Sequence, residues 1–160
     1  MTTATRRPVV AGLFYPEDAE VLAADVKRLL DGVQPAAGSG SLTRRPRALI
    51  VPHAGYRYSG PVAASAYACL RPFAGEISRV VLLGPAHRVY LQGMAVPSDA
   101  AFSTPLGEVP VDLDLVEQVA RLPGVVVGDE PHAREHSLEV QLPFLQVVLG
   151  EFTLVPIVVG

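Results

Sequence analysis

Short apolar runs that stop in glycine- and proline-rich turns recur along this 160-residue sequence, alternating with stretches of helical periodicity. Runs at 48–51, 80–83, 125–127 and 152–159, separated by helical patterns, point to an α/β fold. Two of these runs lead into a histidine. Residues 48–51 pass through Pro52 to His53, and residues 80–83 pass through Gly84 and Pro85 to His87. If both are neighbouring parallel strands, the two imidazoles emerge at one sheet edge, where open α/β sheets carry their sites. Adjacent strands lie about 4.8 Å apart, so side chains from both turns can converge on one ion or ligand.

The composition is that of a globular chain, with 49% apolar and 18% charged residues. By size, residues 1–160 read as a single domain. A formal charge of −3 with scattered basic residues gives no electrostatic case for nucleic acid or an anionic membrane. The single cysteine, Cys69, excludes an internal disulfide and suits a reducing cytoplasm; its helical setting predicts a small, buried apolar role. Arg6 and Arg7 ahead of an apolar stretch mimic an export signal, but the stretch is too short and Pro16-Glu17-Asp18 ends it. No run approaches the roughly 18 apolar residues that would span a bilayer. The last run reads as a buried strand that stops at the final residue, so a piece of a longer protein is expected.

The pattern predicts a helix over 16–31 stopped near Gly32, a mobile loop over 34–45, a strand at 47–52, and a helix over 59–70 with Ser59 as its cap. A strand at 77–83 would complete a βαβ unit. β-like segments at 94–97 and 109–111 flank a turn-rich stretch over 98–107, as a hairpin or an excursion from the sheet. A helix over 112–122, a strand at 125–127 and a helix over 137–149 follow, the last kinked by Pro143.

His53 and His87, in matching strand–turn contexts, are the leading site candidates. Tyr56, Tyr58 and Ser59 add polar tips beside His53, while Arg57 and Arg88 are surface arginines able to pair with an anionic substrate. Residues 131–136 contain H-x-x-E-H, a zinc-peptidase pattern that needs both histidines on one helix. Here the apolar stripe starts only at Leu138, so His132 reads as a solvent-exposed loop histidine, and Glu135 and His136 as site-lining residues at a helix start. Asp99 and Ser103 are weaker candidates. No phosphate-binding loop occurs.

Four ordered motifs carry a resemblance: 11–16 (Ala-Gly-Leu-Phe-Tyr-Pro), 52–56 (Pro-His-Ala-Gly-Tyr) with Ser59-Gly60, 84–87 (Gly-Pro-Ala-His), and 135–139 (Glu-His-Ser-Leu-Glu) with Leu142-Pro143-Phe144. The chain resembles the Memo family, whose bacterial and archaeal members are called AmmeMemoRadiSam system protein B and which is similar in fold to class III extradiol dioxygenases. The resemblance implies a three-layer α/β sandwich with a mixed, largely parallel central sheet, its C-terminal part missing here. It implies His53 and His87 as metal ligands and Glu135 and His136 as lining the same pocket; His136 then reads as a residue behind the ligands or as an acid/base group, oriented by Glu135, while Tyr56, Tyr58 and Arg88 are read from their own positions as facing substrate. Fe(II) is the implied metal, with Cu or Zn as alternatives. The family's later Asp, His and Cys fall outside this chain, so Glu135, Asp99 or solvent would have to complete the shell, and weak or absent binding is expected. The implied activity is metal-dependent oxidation of a small substrate by the full-length protein. The alternatives are a non-catalytic peptide- or small-ligand-binding accessory protein working with radical SAM and Ammecr-type partners, and a metal-dependent hydrolase built on His132, Glu135 and His136.

Overall fold

A computed structural model describes residues 4–33 and 44–160, so most of the loop expected over 34–45 lies outside the described residues. The chain is α/β, with helices layered on two sheets. The smaller sheet has the order β1-β4-β5, where β1 is Thr5–Arg6, β4 is Ala101–Thr104 and β5 is Gly107–Pro110. The larger is mixed. Its order is β2-β7-β3-β6, from Arg79–Pro85, Thr153–Val159, Met94–Val96 and Val125–Val127, with β2 parallel to β7 and β3 antiparallel to it. β7 is buried from Leu154 through Val158, which requires cover on both of its faces.

Local chemistry explains most elements. Helix α1, Ala19–Asp31, is capped by the Asp18 carboxylate accepting from the Val21 N–H, three residues later than the expected start. Its Leu22, Val26 and Leu29 form the buried stripe. Helix α3, Leu113–Ala120, is capped by Asp112. Helix α2, Tyr56–Ala68, starts at Gly55 rather than Ser59, which puts Pro61 inside the helix and the Tyr56 ring in the core. Cys69 falls at its C-cap, half-buried, rather than mid-helix and buried. The helix expected over 137–149 is split. A 3₁₀ turn, Glu139–Gln141, precedes the α-helical Leu142–Leu149, because Pro143 fits only a first turn. That last helix is α5, since a short helix α4, Glu130–Ala133, comes before it.

The strand expected at 47–52, and the βαβ unit built on it, fail. Among the described residues, 47–52 belong to no strand, and β2 pairs with β7, so the expected βαβ unit is absent. The apolar run suits a strand, yet a strand also needs a neighbour, which local sequence does not specify. The turn-rich stretch over 98–107 contains β4, which pairs antiparallel with β5 as a hairpin outside the main sheet.

β7 also serves two neighbours on one side. The Asp112 N–H donates to the Leu154 carbonyl at 2.9 Å, while Val158 is registered with Ala95 of β3. Pro156 sits between these points, its nitrogen on the same side as the 154 and 158 backbone groups. No helix among the described residues is long and apolar enough to cross a membrane.

One buried ion pair ties the chain's start to its middle. Arg6 of β1 bonds the Glu139 carboxylate and the carbonyls of His132 and Glu135, and Glu139 is fully buried. The second role of Glu139 is to accept from the backbone N–H groups of Val9 and Val10 and from the Tyr15 hydroxyl, the last at 2.6 Å. Breaking such a pair leaves a buried charge unmatched. Arg6→Met and Glu139→Leu are each expected to lower stability by about 3–5 kcal/mol, measured by urea unfolding, with Glu139→Leu the worse because it also strands two backbone donors.

Candidate functional site

His53 lies two residues before the Gly55 cap of α2, and His87 two residues after β2 ends. His136 follows the break between α4 and the 3₁₀ turn. The fold brings the three rings together. Centroid separations are 5.2 Å for His53–His87, 4.7 Å for His87–His136 and 6.0 Å for His53–His136. The His87 and His136 rings are stacked, 21° apart.

Glu135 organises this cluster from beneath. The carboxylate is 2% exposed, and the backbone N–H groups of His87, His136 and Ser137 all donate to it, at 2.6–2.8 Å. His87 Nδ1 lies 2.9 Å from Oε1. Burial alone would push the carboxyl pKa up; the hydrogen bonds from the His87 ring and from the backbone of His87 and Ser137 overrule it and bring it down to about 2. An ionised carboxylate only accepts, so His87 Nδ1 donates its proton there. The sequence reading has Glu135 orient His136. The direct ring bond to Glu135 comes from His87, while His136 Nδ1, 3.4 Å from the same oxygen, has no hydrogen-bond partner among the described residues. Burial lowers the His136 pKa, and the neighbouring His87, His53 and Arg88 lower it further against the pull of Glu135.

Packing fixes these positions. The Phe14 ring meets His136 edge-on at 4.8 Å, and the Phe14 carbonyl accepts from the Tyr56 N–H at 2.7 Å. Behind His87, the Ser137 hydroxyl donates to the Pro85 carbonyl at 2.9 Å. Gly84 is required there, because a Cβ would stand 2.6 Å from Ser137 Oγ and 2.8 Å from Leu138 Cδ2.

Among the described residues, ligand atoms of His87, Glu135 and His136 lie within 4.8 Å of one another, close enough to hold a metal ion. Imidazoles with a carboxylate behind them, and a buried His136 ring nitrogen unpartnered among the described residues, fit a divalent cation. Other candidates lie elsewhere. Tyr56 is buried and its hydroxyl donates to the Val140 carbonyl at 2.8 Å, so it does not present a polar tip to substrate. Tyr58 is exposed on α2. Arg88 is exposed and close enough to act on the charge of His136. Ser103 Oγ bonds the Arg6 carbonyl, and Asp99 sits near Asp129 and Arg6, its pKa raised by burial and by Asp129.

His132 is 1% exposed, not the surface loop residue expected. Helix α4 turns it inward, where Nε2 lies 3.1 Å from the Ala95 carbonyl and Phe102 packs on the ring edge. Because α4 ends at Ala133, His132 and His136 do not share a helix face, and the H-x-x-E-H geometry of a zinc peptidase is absent. Sequence reasoning missed Arg6 and Glu139 as the supports of the 132–139 loop. A lone glutamate inside the apolar run 138–145 was the available signal.

The sequence model described as "Memo-like protein" matches residues 6–160. A MEMO1 family protein of Methanopyrus kandleri is 43% identical over 159 residues, covering 95% of this chain and 55% of its own. One from Methanothermobacter thermautotrophicus is 40% identical over 158 residues, covering 95% and 56%. One from Thermotoga maritima is 43% identical over 159 residues, covering 95% and 57%. The chain thus spans little more than half the length of these relatives.

Two outcomes follow from the site's packing. Burial pushes the His132 pKa from 6.5 down to about 4. Between those values the unfolded chain binds a proton that the folded chain refuses, so stability is complete above pH 6.5 and falls as pH drops toward 4. Denaturant titrations at pH 7 and pH 5 should differ by about 2 kcal/mol from this residue, a difference that His132→Phe removes. Gly84→Ala should cost about 1–3 kcal/mol in the same assay, by forcing Ser137 and Leu138 off the strand.

Proposed function

The chain belongs to the Memo family, and from that membership we propose that His53, His87 and His136 form the metal-holding face of a non-heme-iron-type site, with Glu135 as its anchor. The observation that carries this reading is the convergence of three imidazoles within 6.0 Å around a carboxylate that is held ionised. Fe(II) is the ion preferred, and Cu or Zn also suits imidazole. The ion would supply open positions to a small chelating substrate and a Lewis-acidic or redox centre.

The residues themselves do the rest. Glu135 keeps the proton of His87 on Nδ1 and holds that ring in place. The lowered pKa of His136 keeps its ring neutral, and able to ligate, to more acid pH than an ordinary histidine. Phe14 shields one side of that ring from water. The exposed guanidinium of Arg88 favours an anionic substrate near the mouth. Oxidative turnover of a small molecule, and work beside a radical SAM partner, belong to this proposal for a protein of full family length.

Anaerobic calorimetric titration of the chain with Fe(II), and with Zn(II) in parallel, tests it. One ion per chain is expected, bound weakly because the family's later Asp, His and Cys lie outside these residues. His87→Ala and His136→Ala should each weaken binding at least tenfold, Glu135→Gln by about 10–100-fold, and His132→Phe not at all. Affinities untouched by the first three substitutions would discard the metal reading. Oxygen uptake with catechol-like substrates in a full-length protein separates turnover from simple ligand binding.

A further inference from the structure

The turn that carries His53 is pinned on its far side by nearby residues. The Ser59 hydroxyl donates to the Ala54 carbonyl at 3.0 Å, and the Tyr56 N–H donates to the Phe14 carbonyl. On its near side the chain arrives from 47–52, which belongs to no strand among the described residues, so no ladder sets where Pro52 stands. The bond made there comes from a side chain 89 residues later: Gln141 Nε2 donates to the Pro52 carbonyl at 3.2 Å. Gln141 is buried, and the other end of its amide accepts from the Tyr67 hydroxyl at 2.7 Å. Tyr67 is buried too, its ring stacked on Phe144 at 5.1 Å. The chemistry allows one arrangement of this relay. A backbone carbonyl only accepts, so the NH2 end of the amide must face Pro52; the oxygen end then faces Tyr67, whose hydroxyl must donate. Gln141 also closes the 3₁₀ turn that follows His136. In that turn the Val140 carbonyl accepts from the Tyr56 hydroxyl, and the Val140 N–H donates to the His136 carbonyl at 3.1 Å. One turn therefore grips the chain on both sides of His53 and grips His136 as well.

We propose that Gln141 is a positioning residue for His53. Its amide, held in one sense between Tyr67 and Pro52, fixes the Pro52 carbonyl and so sets the His53 ring 5.2 Å from His87 and 6.0 Å from His136. A buried amide with both ends engaged is stiff, because turning it over would set two oxygens against each other at Pro52 and leave its polar ends mismatched. Partners of this kind, one residue behind a ligand, tune how well a site grips its ion. The consequence for ion binding rests on the proposed three-imidazole site; the position of the ring is measured without any metal.

Nuclear Overhauser contacts between the His53 and His87 rings, recorded on the metal-free chain at neutral pH, test it. Gln141→Met keeps the length of the side chain and removes both bonds; it should weaken that contact severalfold and leave the contact between the His87 and His136 rings in place. Tyr67→Phe strands the amide oxygen but keeps the stacking on Phe144, so it should weaken the His53–His87 contact less, and it serves if the Met variant does not fold. Val148→Ala removes buried volume from α5 and no polar bond, so it should leave the contact intact. Zn(II) titration of Gln141→Met should show an affinity lowered about tenfold. A His53–His87 contact unchanged in whichever of the first two variants folds, or lost equally in Val148→Ala, would overturn the proposal. A weakened contact with unchanged Zn(II) affinity would keep the role of Gln141 and remove His53 from the ligand set. No Zn(II) binding by the unsubstituted chain would discard the metal reading and leave the ring contacts to decide the role of Gln141.

Discussion

A guanidinium and a carboxylate meet in the interior between the second residue of β1 and the 3₁₀ turn before α5. Neither group could stay there alone, since an unpaired buried charge costs several kcal/mol. Together they satisfy one another and a set of backbone groups that have no ladder or helix to join. Arg6 takes the carbonyls of His132 and Glu135; Glu139 takes the N–H groups of Val9 and Val10. An irregular N-terminal segment and an irregular loop are thereby locked together. The loop so held is the one that carries Glu135 and His136, so the site's geometry depends on a pair that reaches it only through the Glu135 backbone carbonyl.

The two buried glutamates divide the labour. Glu139 binds structure to structure, while Glu135 binds structure to the site, spending its acceptor capacity on three backbone donors and one imidazole. A carboxylate so fully engaged is better placed to orient a ligand than to be one. That is why the His87 ring is held in a turn that would otherwise leave it free to rotate.

The sequence made some of this legible. α1, α3, β6 and β7 were readable because helical periodicity and short apolar runs are local properties, and His53 and His87 were readable because each follows an apolar run into a tight turn. The segment 47–52 misled, since its composition suits a strand and its missing neighbour is not encoded nearby. β4 was hidden by Ser103 and Thr104 in a four-residue strand of a separate sheet, with Pro105 directly after it. His132 looked exposed because the residues around it are polar; its burial comes from Ala95 and Phe102, some thirty residues earlier in the chain. The family motifs marked Glu135 and His136 as site residues, but which imidazole Glu135 serves was settled only in three dimensions.

Pro156 occupies the middle of a central strand, where proline is ordinarily excluded. Its nitrogen faces the interval in which β7 has finished with Asp112 and has not yet reached Ala95. Any other residue there would carry an amide hydrogen into the buried interior and would need an acceptor for it. The ring removes that hydrogen, so a single strand can pass from one sheet to the other with no orphaned donor at the seam.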